Sequence, residues 1–508
     1  MTQSGAHFLS PVCLINPSSG FLLDDRVFPT LGLLRLAAVL EQRAIPVEFL
    51  DLAGVANFLD VCLDHIAVSS AKAVGLTATT PQLPSVIRIA KALRAMRPDI
   101  RLIIGGPHVT LCIAAVKSEK KRGIADGRAQ AAFRVLQDNF DVVCAGDGEF
   151  AIFEALGPNP PALIDADDRT SALFLTDETY TEMPLPARHL IDMDSYHYSI
   201  EGKRSSSIIA QLGCPFSCGF CGGRSSPSLR VIRTRTTESI VGELEHLYRS
   251  YGYTGFMFYD DELNVSKTMV ELMDAIVALQ DRLGVEFRLR GFVKAELFTD
   301  AQAAAMRRAG FRWLLSGFET GDPRMLVNIN KRATLDDNSR AIEIAKRHDL
   351  KVKALMSVGH PGESEESVAA SHDWLIASGV DEFDCTIITT YPGTPYYDEA
   401  TRHPDMPGVW TYRQPKTGDR LHAYEVDFST TADFYKGIPD GGYTSFVFTD
   451  HLSPERLVEL RDWVERDVRT KLAIPFPAAQ PAIQYEHSMG QGLNQSILRA
   501  SKHLADVA

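Results

Sequence analysis

Residues 206–223 read SSIIAQLGCPFSCGFCGG: an apolar run, three cysteines (Cys214, Cys218, Cys221) within eight residues, then Gly222 and Gly223. The run Ser206 to Gln211 predicts a buried strand, which puts the cysteines on the loop at its carboxyl end. Downstream the same unit recurs. Strands are predicted at Gly255 to Tyr259, Glu286 to Arg290, Arg312 to Gly317, Val352 to Val358 and Phe383 to Thr389. Helical spacing separates them at Ser239 to Ser250, Thr268 to Leu283, Asp300 to Arg308, Asp336 to Arg347 and Glu365 to Ala377. Six strand–helix units in succession imply a partial barrel of parallel strands. Polar or glycine-rich motifs follow each strand, including Tyr259-Asp260-Asp261-Glu262, Ser316-Gly317-Phe318-Glu319, Gly359-His360-Pro361-Gly362-Glu363 and Tyr391-Pro392-Gly393-Thr394-Pro395. In a parallel barrel, that end is where chemistry collects.

The remaining five cysteines, Cys13, Cys62, Cys112, Cys144 and Cys385, lie singly, mostly in apolar segments, as buried core residues do. The clustered three are spaced three and two residues apart, and no fourth ligand lies nearby to close a tetrahedral zinc site. Thiolates are the usual ligands of iron–sulfur clusters, and three on one loop would leave one iron open to an exogenous ligand.

With its position after the first strand of a six-unit barrel, and with Phe220 just before the third cysteine, this CxxxCxxC loop resembles the signature of the radical S-adenosylmethionine superfamily. The resemblance implies that Cys214, Cys218 and Cys221 hold three irons of a [4Fe-4S] cluster. S-adenosylmethionine would chelate the fourth iron and be cleaved to a 5′-deoxyadenosyl radical. It further implies S-adenosylmethionine contacts from Phe220, Gly222, Gly223, Asp260, Asp261, Glu319 and Arg332, with the choice between Asp260 and Asp261 open.

The first 156 residues repeat the α/β alternation. Strands are predicted at Val12 to Ile15, Val47 to Leu50, Ala73 to Leu76, Arg101 to Ile104 and Val142 to Cys144, with helices between them. This favours a Rossmann-like, doubly wound parallel sheet. No GxGxxG follows the first strand, so a dinucleotide is not favoured. The strand ends instead carry Asn16-Pro17-Ser18-Ser19-Gly20, Thr77-Ala78-Thr79-Thr80-Pro81-Gln82, Gly105-Gly106-Pro107-His108 and Gly146-Asp147-Gly148-Glu149. Together with Pro29-Thr30-Leu31-Gly32-Leu33 and Asp51, these motifs resemble the cobalamin-binding domain that precedes the barrel in one large branch of the superfamily. The resemblance implies cobalamin contacts from Asn16, Pro17, Thr77, Thr79, Thr80, Gln82, Gly105, Gly106, His108, Gly146 and Glu149. No Asp-x-His-x-x-Gly occurs anywhere in the chain, so the histidine that ligates cobalt from below in many such domains has no counterpart. The radical methylases of this branch commonly lack it as well.

The predicted organisation is therefore residues 1–156 as the cobalamin-binding domain, 157–204 as a proline-punctuated linker with one hairpin, and 205–400 as the barrel. Residues 401–508 form a mostly helical and irregular C-terminal region, with one clear helix at Pro454 to Lys471, an irregular stretch from Pro475 to Gln495 and a short helix after Asn494. In 508 residues, acidic side chains outnumber basic ones, 65 to 52, which disfavours a nucleic-acid partner. The chain shows no apolar stretch of about 20 residues and no secretory leader, so a cytoplasmic protein without a membrane partner is expected. What the resemblance implies is a cobalamin-dependent radical C-methyltransferase acting on an unactivated carbon of a small molecule, served by a flavodoxin- or ferredoxin-type reductant. A cyclase or ring-rearranging enzyme with the same cofactors, and a non-enzymatic cobalamin or metal sensor, are the alternatives. Substrate and oligomeric state are not legible; a monomer is compatible with the sequence. The aromatics Tyr391, Tyr396, Tyr397, Trp410, Tyr412, Tyr435 and Tyr443 line a pocket on one reading and fill the core on the other.

Overall fold

The computed structural model describes residues 11–19, 25–432 and 443–475. Gly20, Tyr435, residues 476–495 of the predicted irregular stretch and the helix expected after Asn494 lie outside them.

Five apolar runs become the strands β1 (Val12–Asn16), β2 (Val47–Asp51), β3 (Ala73–Thr77), β4 (Arg101–Gly105) and β5 (Val142–Gly146). A sixth, β6 (Leu163–Ala166), completes a wholly parallel sheet of order β2-β1-β3-β4-β5-β6. Helices Leu31–Gln42 and Gly148–Ala155 pack one face through Leu33, Ala37, Leu40 and Ile152. Helices Phe58–Val68, Leu83–Met96, Pro107–Lys121 and Arg128–Asn139 cover the other. Covered on both faces, such strands must be apolar throughout, and β1 is buried at all five positions. The strand order reverses between β1 and β3, and ligands of open α/β sheets bind outside the carboxyl ends at such a point.

The stretch 157–204 is more than a linker. Its Leu163-Ile164-Asp165-Ala166 pairs in parallel with β5, Val143 opposite Leu163, because a sheet edge asks only one neighbour of a short strand. Its end forms β7 (Ser199–Ile200), antiparallel to β8 (Lys203–Ile208) across the turn Glu201-Gly202. After β8 come the short antiparallel pair β9 (Gln211–Leu212) and β10 (Arg233–Thr234), then β11 (Gly255–Phe258), β12 (Arg288–Phe292), β13 (Phe311–Glu319), β14 (Lys351–Val358) and β15 (Glu382–Ile387). The second sheet runs β15-β14-β13-β12-β11-β8-β7, six parallel strands in sequential order with β7 at the edge, curled as a half-barrel.

Beyond residue 400, four short strands absent from the sequence-based expectation precede the predicted helix. These are β16 (Thr401–Arg402), β17 (Val409–Arg413), β18 (Arg420–Tyr424) and β19 (Val447–Thr449), in one antiparallel sheet. Helix Pro454–Leu472 follows, its Ser453 hydroxyl accepting from Arg456 N at 3.2 Å as an N-cap. The helix shields β15: Glu465 accepts from Cys385 N at 2.8 Å, and Arg461 donates to Cys385 O at 2.9 Å. On the opposite flank, the Arg128 guanidinium lies 3.6 Å from the Tyr397 ring centroid and 4.2 Å from that of Trp410, and donates to Tyr397 O. It joins the first domain to the segment after the barrel. Among the described residues, no helix is long and apolar enough to cross a membrane.

Candidate active site

The cysteine loop leaves β9 through Gly213 at φ +85°, where a Cβ would lie 2.2 Å from Val231 O. No other residue fits that turn. Backbone bonds then pin the loop: Cys214 N donates to Leu229 O (3.0 Å), Gly219 N to Ile329 O (2.7 Å) and Gly223 N to Gly393 O (3.1 Å). A Cβ on Gly219 would sit 2.5 Å from the Tyr396 ring, so the loop's tip is pressed onto the barrel. The three thiols share one short loop without forming a disulfide, and Cys218 opposes ionisation of both Cys214 and Cys221. Burial pushes Cys214 up to about 11, with Glu262 and Asp261 adding to the shift. Thiols that resist ionisation in the bare chain become thiolates when a cation sits among them, and this donor set fits a cluster iron triad.

Beside the loop lies a buried polar chain. Glu319 ends β13 at φ +68°, a left-handed conformation that a non-glycine residue holds only when its surroundings impose it. Its Oε1 accepts from Lys331 Nζ at 3.0 Å and its Oε2 from Ser357 Oγ at 2.8 Å. His360 Nε2 lies 2.8 Å from Ser357 Oγ, and burial lowers the imidazole to about 4, so it is neutral. Burial alone would lower the Lys331 ammonium, but Glu319, Cys218 and Glu262 outweigh it and hold the amine above its ordinary range. A carboxylate and an ammonium next to three thiols suit the ammonium and carboxylate of an amino-acid moiety.

The expected residues divide accordingly. Glu319 lies in this chain, and half-buried Phe220 packs on His360 with ring centroids 5.4 Å apart. Gly222 and Gly223 lie between Leu111, Tyr391 and Leu229. Arg332 is exposed at φ +62°, and the buried cation is its neighbour Lys331, turned inward between two left-handed residues, Asn330 and Arg332. Asp260 is a fastener: its Oδ1 accepts from the backbone N–H of Ala210 (3.1 Å) and Gln211 (2.5 Å), and burial raises its carboxyl to about 7. Asp261 is exposed at the rim, and the half-buried Glu262 is raised to about 7 by burial.

Across from the loop, a cavity of about 520 Å³ opens at the carboxyl ends of β1, β3, β4 and β5. Leu14, Leu36, Gly75, Ile103 and Ile152 give it an apolar floor, while Ile209, Leu212, Leu229 and Tyr259 of the second domain border it from above. Asn16, Thr77, Thr79, Gln82, Gly105, Gly106, Gly146 and Glu149 line it. Gly106, at φ +94°, could carry a Cβ only 2.4 Å from Thr77 Oγ1. The reverse holds at Gly32, where a Cβ would meet nothing within 4 Å. Unanticipated lining groups include Asp25, Thr110, Asp147 and Arg233. Asp25 accepts from Ser19 N (2.9 Å) and Gly54 N (2.6 Å), and burial raises it to about 6. An apolar floor rimmed by carboxylates, amides and hydroxyls fits a flat corrin with carboxamide arms.

Three expected contacts point elsewhere. Pro17 serves through its carbonyl, which accepts from Gln82 Nε2 at 3.2 Å. Thr80 and His108 pair in the core, Oγ1 to Nδ1 at 3.0 Å, and the other imidazole nitrogen lies 3.4 Å from Cys112 Sγ. Burial lowers His108 to about 4, so it is a neutral packing residue, and no histidine is among the described lining residues. Asp51 likewise fastens the fold, accepting from Asn16 Nδ2 (2.8 Å) and the Tyr196 hydroxyl (2.7 Å).

The Radical SAM superfamily model matches residues 208–375 and the B12 binding domain model residues 25–137. The chain is a cobalamin-dependent radical SAM enzyme. An uncharacterized methyltransferase of Pyrococcus horikoshii is 26% identical over 381 residues, 73% of this chain and 78% of the relative. The anaerobic magnesium-protoporphyrin IX monomethyl ester cyclase of Rubrivivax gelatinosus is 26% identical over 313 residues, 59% of this chain and 54% of the cyclase. The bacteriochlorophyllide d C-12(1)-methyltransferase of Chlorobaculum tepidum is 26% identical over 244 residues, 45% and 51% of the two chains. The match thus spans about half the length of the last two. In fold, the radical S-adenosylmethionine methyltransferase TsrM of Kitasatospora setae superposes with a TM-score of 0.61 at 18% identity, over 98% of this chain and 100% of its own. OxsB gives 0.55 at 14% identity, over 77% and 55%. For this radical SAM enzyme the family implies a [4Fe-4S] cluster, S-adenosylmethionine and cobalamin. Several expected aromatics prove to be core: Tyr396, Tyr397, Tyr412 and Tyr443 are buried.

Proposed function

We propose that this radical SAM enzyme is a C-methyltransferase that places a methyl group on an unactivated carbon of a small molecule. The observation that carries the reading is the shared cavity: Leu212, two residues before the first cluster cysteine, borders the same chamber as the strand ends of the cobalamin domain. When bound, the cluster with S-adenosylmethionine supplies a hydrogen-abstracting radical and the cobalamin carries a methyl group, chemistry that no side chain offers. The chain itself holds and shields. Lys331 and Glu319 provide charges for the methionine moiety, Ile209, Leu212 and Tyr259 give the chamber an apolar border on the barrel side, and Cys214, Cys218 and Cys221 anchor the iron. Electrons come from a flavodoxin- or ferredoxin-type donor.

The methyltransferase names of two relatives favour this reading, and the cyclase name of another supports ring closure as the second. Isotope-tracked turnover separates them. Methylation requires a product heavier by CH2, its label derived from the S-adenosylmethionine methyl, with one S-adenosylhomocysteine and one 5′-deoxyadenosine per product. Deoxyadenosine accompanied by an unmethylated, rearranged product would transfer the assignment to the cyclase class.

A further inference from the structure

At the edge of the first sheet, β1 and β2 lie side by side in a register that sets Cys13 opposite Glu48. Partners in adjacent parallel strands point to the same face. Helix Phe58–Val68 lies across that face, with Cys62 and Ile66 buried against the sheet. His65 sits between these two in the helix and reaches the sheet edge, where its Nε2 lies 3.0 Å from Glu48 Oε2. The Cys13 Sγ, a carboxylate oxygen of Glu48 and a ring nitrogen of His65 all lie within 4.8 Å of one another. Tetrahedral zinc, with bonds of about 2.0–2.3 Å, spaces its donors about 3.3–3.8 Å apart, so small side-chain rotations close this trio around an ion.

An ion pair between His65 and Glu48 accounts for two of the three groups and leaves out the thiol. Cys13 is wholly buried and forms the inner wall of the trio. Burial raises its thiol above the ordinary range, and the Glu48 charge adds to the shift. A thiolate beside a carboxylate is unfavourable alone, and a dication is the partner that suits both. Glu48 is fixed from behind: Ser69 Oγ donates to its Oε2 at 2.6 Å and accepts from Ala71 N at 3.0 Å. Metal sites commonly hold a ligand carboxylate by such an outer hydrogen bond. On the outer side, the His65 and Glu48 side chains are 32% and 25% exposed, which gives an ion a way in and water a place on it. Sulfur, nitrogen and oxygen donors in one set suit zinc, which accepts all three.

We propose that Cys13, Glu48 and His65 are the ligands of a zinc ion whose fourth position is taken by water, and that the ion ties edge strand β2 and helix Phe58–Val68 to β1. The Cys13 proton leaves to solvent as the ion enters. Leu14, next along β1, faces the other way and floors the cofactor cavity, and none of the three ligands lines that cavity. The zinc site therefore stands whatever the cavity holds.

The test uses the full chain with its cluster reconstituted, so that iron already occupies Cys214, Cys218 and Cys221. Zinc chloride is added, loosely held metal is removed on a chelating resin, and zinc and iron are counted. The parent should retain one zinc per chain with its iron unchanged, and zinc should raise its melting temperature. X-ray absorption at the zinc edge should show one sulfur at about 2.3 Å, the other donors being nitrogen or oxygen at about 2.0–2.2 Å. C13A and H65A should each weaken zinc at least tenfold and lose the thermal shift while keeping their iron. H65A changes a half-exposed side chain, so it keeps the test decisive if C13A folds poorly. A parent that retains no zinc refutes the site, as does undiminished zinc in H65A. Three sulfurs around zinc, with iron lost in step, would place the ion in the cysteine loop and overturn the proposal.

Discussion

Replacing Gly32 by leucine should move two measurements in opposite directions. Gly32 is the second residue of helix Leu31–Gln42, does not have a positive φ, and borders the cavity with open space where a Cβ would stand. Leucine is the better helix former by up to about 0.7 kcal/mol, and its Cβ meets no neighbour within 4 Å. For a domain of this size, that corresponds to a rise in melting temperature of about 1–3 °C in the cofactor-free chain. The four added carbons project toward the cavity of about 520 Å³. Overpacking against a bound corrin should cost about 1–3 kcal/mol. Cobalamin affinity then falls about five- to 150-fold. Thermal unfolding of the free chain and an absorbance titration with hydroxocobalamin read the two quantities. Unchanged cobalamin affinity, or a melting temperature several degrees lower, would refute the placement of this helix at the cofactor.

Cys218→Ala should leave iron well below stoichiometric and abolish S-adenosylmethionine cleavage, since Cys214 and Cys221 alone cannot hold a cubane; near-full iron in that variant would contradict the triad. Cobalt(II) in the bound cofactor should show no superhyperfine splitting from a protein nitrogen, so that uniform 15N labelling of the protein leaves its paramagnetic resonance spectrum unchanged, because no imidazole is among the described residues lining the cavity. Asp260, raised from 3.8 to about 7 chiefly by burial, binds its proton more tightly folded than unfolded. Its contribution to stability is full below about pH 4 and lost as pH rises through 7, by at most about 4 kcal/mol. Asp260→Asn, whose amide oxygen can still accept from Ala210 and Gln211, should remove that component, read as a smaller drop in urea midpoint between pH 5 and 8 than in the parent.

The barrel was legible through its recurring strand–helix units, and most plainly where a strand is buried along its length or carries an apolar run, whereas β12 (Arg-Leu-Arg-Gly-Phe) and β15 alternate. Phe256 and Phe258 of β11 and Leu314 and Leu315 of β13 are examples. The metal loop was legible because its chemistry lies in spacing. By contrast, β6 buries only Ile164 and Ala166, and β18 is Arg-Leu-His-Ala-Tyr, so neither carries a run that stands out from a turn. Side-chain direction at strand ends was also hidden. His108 follows the glycines of a cofactor loop yet points into the core, and two left-handed residues turn Lys331 inward where the sequence suggests Arg332. Asp260 and Asp261 are adjacent and alike in chemistry, and only the fold assigns one to the backbone of β8's end and the other to the rim.

Arg128, lodged against Tyr397 and Trp410, moors the cobalamin domain on the flank away from its peptide connection to the barrel. A door hung on both jambs does not swing. The guanidinium's stacking on the two rings is worth on the order of 1–2 kcal/mol. Any parting of the two domains on this side has to give that contact up, so the cavity's two walls are held in register by more than the chain that links them.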